Sequence, residues 1–219
     1  MDKQAVNKLE SDIAIIKDAI RANNGFIRQF LSGRALSGFF FAFGTVLAVL
    51  GIMWHSALSA AGSFQALSIG IRIVLITVTV VASAAVSAGK VIAIDRAARK
   101  IDQQYHWLDM VMKLSNHPIS IAQGLVVIMS IFSAIMAGRF GASAMVIGSI
   151  AGGLAVVFLL YAVAFLLSEY LLISIGLFLV TAVALLIPTM SSLLLLAGGI
   201  GGVFIVCALV LRLYGKGDR

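Results

Sequence analysis

Residues 90–117 read Lys-Val-Ile-Ala-Ile-Asp-Arg-Ala-Ala-Arg-Lys-Ile-Asp-Gln-Gln-Tyr-His-Trp-Leu-Asp-Met-Val-Met-Lys-Leu-Ser-Asn-His. This is the only long charged segment inside an otherwise apolar chain, and it separates two hydrophobic spans from four. Within it Val91, Ile94, Ala98, Ile101, Tyr105, Leu108 and Met112 alternate steps of three and four, the spacing of one apolar helix face. The preceding span is therefore expected to continue out of the membrane as a single helix. Ser115-Asn116-His117-Pro118 ends it, and Pro118 suits the first turn of the next helix, where its missing N–H costs nothing.

The flanking runs decide the class. Of 219 residues 61% are hydrophobic and 11% charged, against about 25% charged in a soluble domain. So little polar surface cannot coat a globule in water. Several uncharged apolar runs reach the about 20 residues that cross a bilayer as a helix, and they lack the alternation of a β-barrel strand. The fold class is all-α, a polytopic membrane protein with six transmembrane helices. The net charge of +7 does not point to nucleic acid, because the basic residues cluster at the ends of hydrophobic runs, as topology signals do. The single cysteine, Cys207, lies in a hydrophobic run and excludes an intrachain disulfide.

The chain divides into residues 1–35, 36–89, 90–117 and 118–219. In the first, Val6, Leu9, Ile13, Ile16, Ile20, Asn23, Ile27 and Phe30 form a coiled-coil-like seam with mixed charges beside it. The spans are expected at 36–54, 69–89, 119–137, 142–167, 171–187 and 193–213, with Trp54 and His55 closing the first at the interface. Six Lys and Arg precede the first span, five lie in 90–117 and three in the C-terminal tail, fourteen of the sixteen. Only Arg72 and Arg139 fall on the other side. The positive-inside rule then places both termini and residues 90–117 in the cytoplasm, in a bacterial-type inner (plasma) membrane. Residues 1–31 and 90–117 are thus two amphipathic helices, antiparallel by construction. Their seams, Leu9, Ile13, Ile16 and Ile20 on one and Ile94, Ile101 and Leu108 on the other, are expected to bury each other as a cytoplasmic helical hairpin or stalk. Whether they pair with each other, with a partner or with the membrane surface stays open.

The second helix of each membrane hairpin carries small residues four apart: Ser83 with Ser87, Gly148 with Gly152, Gly198 with Gly202. Such pairs let backbones approach closely and gain dispersion contacts, which replace the hydrophobic drive absent in lipid. Spans 2, 4 and 6 are expected to make the inner contacts. The last two hairpins also resemble each other. Gln123-Gly124-Leu125 is matched by Ile175-Gly176-Leu177, and Ile150-Ala151-Gly152-Gly153 by Gly199-Ile200-Gly201-Gly202. The pattern Gly-Leu-Phe-Leu-Val, Ile-Pro and Leu-Leu-Leu-Leu-Ala-Gly-Gly-Ile-Gly-Gly-Val-Phe over 171–213 resembles the repeated unit of the HdeD-like family, with 120–165 resembling it less. The resemblance implies a six-span bacterial inner-membrane protein associated with acid resistance, and it brings no catalytic residues.

Few side chains could carry chemistry. Arg72, Arg139 and His55 could together attract an anion, against the alternative that both arginines only snorkel to the interface. Glu169 could carry a proton or cation, or simply cap a helix start in its turn. The histidines are too few and too separated for a metal site. No HExxH, GxSxG, phosphate loop or paired carboxylate lies within the spans, so no catalytic residue, cofactor or metal is assigned. The leading expectation is a non-enzymatic membrane protein that contacts lipid and, through its cytoplasmic helices, a second copy or another protein. The alternative is a small transporter or channel with a path through spans 3–6.

Overall fold

The computed structural model of the chain describes residues 33–99, 118–139, 141 and 143–214. These form α1 (Gly33–Ala61), α2 (Ile69–Arg99), α3 (Pro118–Arg139), α4 (Ser143–Phe165) and α5 (Ser168–Leu186). A sixth span follows in three consecutive pieces: α6 (Ser192–Leu194), a π-helical segment (Leu195–Gly201) and α7 (Gly202–Tyr214). No strand occurs among the described residues. Among the described residues six helices are long and apolar enough to cross a membrane: Leu36–Ala61, Ile69–Arg96, Ile121–Arg139, Ser143–Phe165, Ser168–Leu186 and Ser192–Leu213. In hydrocarbon every backbone polar group must bond within its own segment, so uncharged runs of this length fold as helices.

The ends of these helices follow local chemistry. Pro118 opens α3 and Pro188 follows α5, whose last turn is closed by the Ile187 N–H donating to Val183 O at 2.9 Å. Between α4 and α5 the chain turns in two residues. Leu166 has φ 54°, and the Leu167 N–H donates back to Ala162 O at 3.0 Å, the long bond of a Schellman cap. Leu167 is then driven inside, at 1% exposure, while Leu166 faces out. This tight connection sets α4 and α5 antiparallel along their length, the most extensive pairing in the bundle.

The helices are arranged as a chain of neighbours: α2 on α1, α1 on the sixth span, the sixth span on α5, α5 on α4, and α4 on α3. The core lies between α1, α4, α5 and the sixth span. Phe40 meets Phe158, Tyr170 and Phe204 with ring centroids 6.2, 6.0 and 5.8 Å apart, and Phe158 meets Tyr170 edge-on at 5.4 Å. Such pairs contribute about 0.5–1.5 kcal/mol each beyond area burial, which matters where lipid removes the hydrophobic drive.

This corrects the expectation of spans 2, 4 and 6 as the inner ones at span 2 alone; α4 and the sixth span do pack inside, together with α1 and α5. α2 and α3 are peripheral, and none of α3's membrane window is buried. Ser83 and Ser87 face outward, with the Ser87 hydroxyl donating to Ser83 O in its own helix at 2.9 Å. The inner partner of the sixth span is α1. A Cβ on Gly51 would stand 2.8 Å from Ala197 Cβ, and Gly44 lies two turns earlier on the same face, against Gly201. Gly198 and Gly202 have open space where a Cβ would point. Spacing four apart marks a face only in an α-helix. Across the π segment the bonding runs i→i+5, so the register rotates and Gly201, not Gly198 or Gly202, faces α1.

One helix limit also differs from the expectation: α1 passes Trp54 and continues to Ala61, so the α1–α2 hairpin rises six residues, about 9 Å, beyond His55. α2 continues past Gly89 to Arg99 as one helix, as expected over the described residues, and Asp95 and Arg99 pair there at 2.8 Å. Most of the expected cytoplasmic hairpin lies outside the described residues, including Leu9, Ile13, Ile16, Ile20, Ile101 and Leu108. Ile94 is described, and it packs against the main core cluster.

Candidate functional site

Two features of the bundle combine polar groups with accessible space. The first is a groove of about 580 Å³ between α3, α4 and α5. Its floor is made of Gly148, Gly152 and Gly153 of α4, and its walls include Met129, Ser130 and Ser133 of α3 and Thr181 and Leu185 of α5. The glycines exist because the neighbouring helices press close. A Cβ on Gly148 would stand 2.8 Å from Ala184 Cβ, and one on Gly153 would stand 1.8 Å from Ser130 Oγ. Two of the four hydroxyls lining this groove, those of Ser130 and Thr181, are committed to backbone carbonyls. Ser130 donates to Val126 O at 2.7 Å, and Thr181 Oγ1 lies within bonding distance of Gly148 O and Leu177 O at 3.2 and 3.1 Å. No ionisable side chain lines the groove. Nearby, Ser174 donates across the α4–α5 interface to Ala155 O at 2.8 Å, fully buried.

The second feature is a polar rim at the Arg139 end of the bundle. His55 Nδ1 and Ser191 Oγ share a hydrogen bond at 3.1 Å, tying α1 to the turn before the sixth span, and Ser59 Oγ stands 3.5 Å from His55 Nε2. The Trp54 indole N–H donates to Thr79 Oγ1 at 2.9 Å, tying α1 to α2. Arg72 closes the loop between those helices. Its Nε donates to Leu67 O at 2.8 Å, its Nη2 donates to Gln65 O, and its guanidinium lies over the Phe64 ring at 5.4 Å. These contacts use two of the five guanidinium N–H donors and fix the side chain against its own loop. Arg139 is exposed at the end of α3, and no contact among the described residues joins it to Arg72 or His55. The three residues considered as one anion site are therefore not gathered into one.

At the opposite end Glu169 sits in the first turn of α5, where a carboxylate complements the positive helix terminus. Arg212 lies over the Phe41 ring at 5.1 Å in the last turn of α7. The only carboxylates among the described residues are Asp95 and Glu169, both at this end, so none stands beside the His55–Ser191 pair. That pair ties α1 to the turn before the sixth span, and no described carboxylate is placed to orient the histidine. Among the described residues no group of His, Cys, Asp or Glu could hold a metal ion.

Of the residues singled out in sequence, Gly148 and Gly152 line the groove and Gly148 also contacts α5. Ser83, Ser87, Gly198 and Gly202 make no close helix contact. The positions matched between the last two hairpins sit in unlike surroundings: a Cβ on Gly176 would meet Val203 at 2.8 Å, whereas Gly124 faces open space. Sequence reasoning missed Gly44 with Gly51, whose spacing of seven was the available signal, and the Ser174 and Thr181 hydroxyls, which carried none. It also missed Asp95 Oδ1 and Gln123 Nε2, buried atoms that have no hydrogen-bond partner among the described residues. No family model, curated protein or solved structure matches the chain.

Proposed function

We infer that this is a non-enzymatic integral membrane protein whose cytoplasmic helices mediate assembly, with a second copy or with another protein. One observation supports the reading above the others. α1 begins at Gly33 and α2 ends at Arg99, and the two helices are antiparallel neighbours. Residues 1–32 and 100–117 are therefore attached side by side at one end of the bundle. Two apolar seams that start next to each other need little loop entropy to meet. The Lys and Arg excess assigns that end to the cytoplasm of a bacterial-type inner membrane, and the HdeD-like resemblance of residues 171–213 belongs to the same reading.

A transport path through spans 3–6 asks for a polar cavity that reaches mid-membrane near Gly152 and Gly201. The backbone of α1 fills the space at Gly201, and the groove at Gly152 has no ionisable lining. Assembly is the better supported reading for that reason. The test is removal of residues 1–31. The truncated protein should still insert into the membrane but lose its partner or its oligomeric mass in mild detergent. Intact assembly after truncation removes the proposed role of this segment.

A further inference from the structure

We propose that the apolar seam of Leu9, Ile13 and Ile16 pairs with the same seam of a second copy, as a parallel, in-register coiled coil beyond the Arg99 end of the bundle. The inference rests on the assembly reading and commits it to one partner. It starts from the depth at which two helices end. The Trp54 indole bonds Thr79 at 2.9 Å, and His55 beside it bonds Ser191 at 3.1 Å. Met190 packs against the cluster of Ala144, Ala184 and Leu195 at the start of α4, and a Cβ on Gly138 of α3 would stand 3.8 Å from Val146 Cγ2 of α4. Thr79 and Arg139 are therefore close in depth. Arg99 follows Thr79 by 20 residues and Pro118 precedes Arg139 by 21, about 30 Å along each helix. The chain leaves α2 and enters α3 at about the same level.

That level limits how far α2 can be prolonged. Residues 100–117 number 18, and they must climb and return. A helix rises about 1.5 Å per residue, and an extended chain covers at most about 3.5 Å per residue. Even with its return fully stretched, a prolonged α2 stops by about residue 112. The Trp54–Thr79 pairing sets the α1–α2 register, and in that register residue 112 stands opposite about residue 21. α2 and α3 are not packed on each other, and any sideways distance lowers the limit further. Leu9, Ile13 and Ile16 thus lie beyond the reach of the chain's own second amphipathic segment.

Three features select a second copy as the cover. The seam fits heptads with Val6, Ile13 and Ile20 at one core position and Leu9 and Ile16 at the other. α1 enters the membrane from the same side in every copy, so two copies are parallel and their seams meet at equal height. The positions flanking the seam then face each other across the pair: Asp12 of one copy faces the partner's Lys17, Ala5 faces Glu10 and Ala19 faces Asn24, with no like charges opposed. A slip of one heptad would set Asp12 of one copy against the partner's Glu10. Lipid is a poor cover, because Glu10, Asp12 and Asp18 alternate with Lys8 and Lys17, whereas an anionic surface selects Lys and Arg.

The experiment co-expresses two differently tagged full-length chains in a Cys207→Ala background and reads their co-purification in mild detergent, with membrane insertion as the control for folding. Asp12→Lys and Lys17→Asp each oppose like charges in a self-pair, and each should lower self-association severalfold. Mixing an Asp12→Lys chain with a Lys17→Asp chain restores both opposite-charge pairs, so the mixed complex should exceed either self-complex by at least about threefold. Under mild oxidation Ile13→Cys and Ile16→Cys should form copy-to-copy disulfides at least about tenfold faster than Ser11→Cys, which lies opposite the seam. Disulfides no faster at Ile13 and Ile16 than at Ser11, with no preference for the mixed charge pair, would overturn the second copy as the partner. If removal of residues 1–31 then still strips a different chain from the complex, the assembly reading stands and this inference alone falls. If removal strips nothing, both fall.

Discussion

A Cβ placed on Gly44 would stand 2.6 Å from the Gly201 carbonyl oxygen, and one placed on Gly201 would stand 2.9 Å from the Gly44 carbonyl oxygen. The first and last spans thus meet backbone against backbone, and no side chain can yield to relieve a clash. Gly44→Ala or Gly201→Ala should each destabilise the fold by about 2 kcal/mol or more, the upper part of the range for overpacking. Gly198→Ala, three residues from Gly201 but facing open space, should be neutral or stabilising by up to about 1 kcal/mol. Unfolding in mixed detergent micelles reads both effects. Similar losses at Gly198 and Gly201 would mean that the π segment does not set the facing register.

Ser174 joins α5 to α4 through the Ala155 carbonyl, at 1% exposure. Ser174→Ala should cost about 0.6 kcal/mol and under about 1.7 kcal/mol, the scale of hydrogen bonds between membrane helices. Thr181→Val keeps the shape of a side chain bonded to Gly148 O and should fall in the same range. The same unfolding measurement decides, and a loss well above that range would show that these hydroxyls hold more than one helix pair.

How much of this was legible in the sequence follows from the physics of each feature. The six spans were legible, because a bilayer demands long uncharged runs and prolines mark their limits. The neighbours were not. Spacing four apart identifies a face that can be approached but says nothing about which helix approaches it. The hydroxyl–hydroxyl spacing of Ser83 and Ser87 looks the same as that of a packed pair, yet among the described elements α1 is the one α2 packs against extensively. The shift of facing residue from Gly198 to Gly201 needed the π segment, which leaves no periodic signal. The groove is a property of three helices together and could not be read from any one of them.

Leu166 occupies a left-handed position at φ 54° that favours glycine. An L side chain there costs about 1–2 kcal/mol, and Leu166 is 72% exposed, so its removal loses little packing. Leu166→Gly should therefore raise stability by up to about 1 kcal/mol, after the added freedom of glycine in the unfolded chain is subtracted. A thermal or detergent-unfolding midpoint that falls instead would show that the turn is held by the side chain.

Orientation can be tested independently of assembly. Cys207 is buried in the core at 4% exposure, so a Cys207→Ala background removes the native thiol without burying a new hydroxyl. In intact cells a membrane-impermeant thiol reagent should label Arg139→Cys directly. It should label Lys90→Cys only after permeabilisation. The reverse pattern would invert the assigned topology.

The most direct measurement of the assembly account is the mass of the full-length protein purified in mild detergent, with identification of every chain that travels with it. The account predicts a defined complex, either several copies of this chain or this chain with a stoichiometric partner. A monodisperse monomer with no companion chain would contradict it.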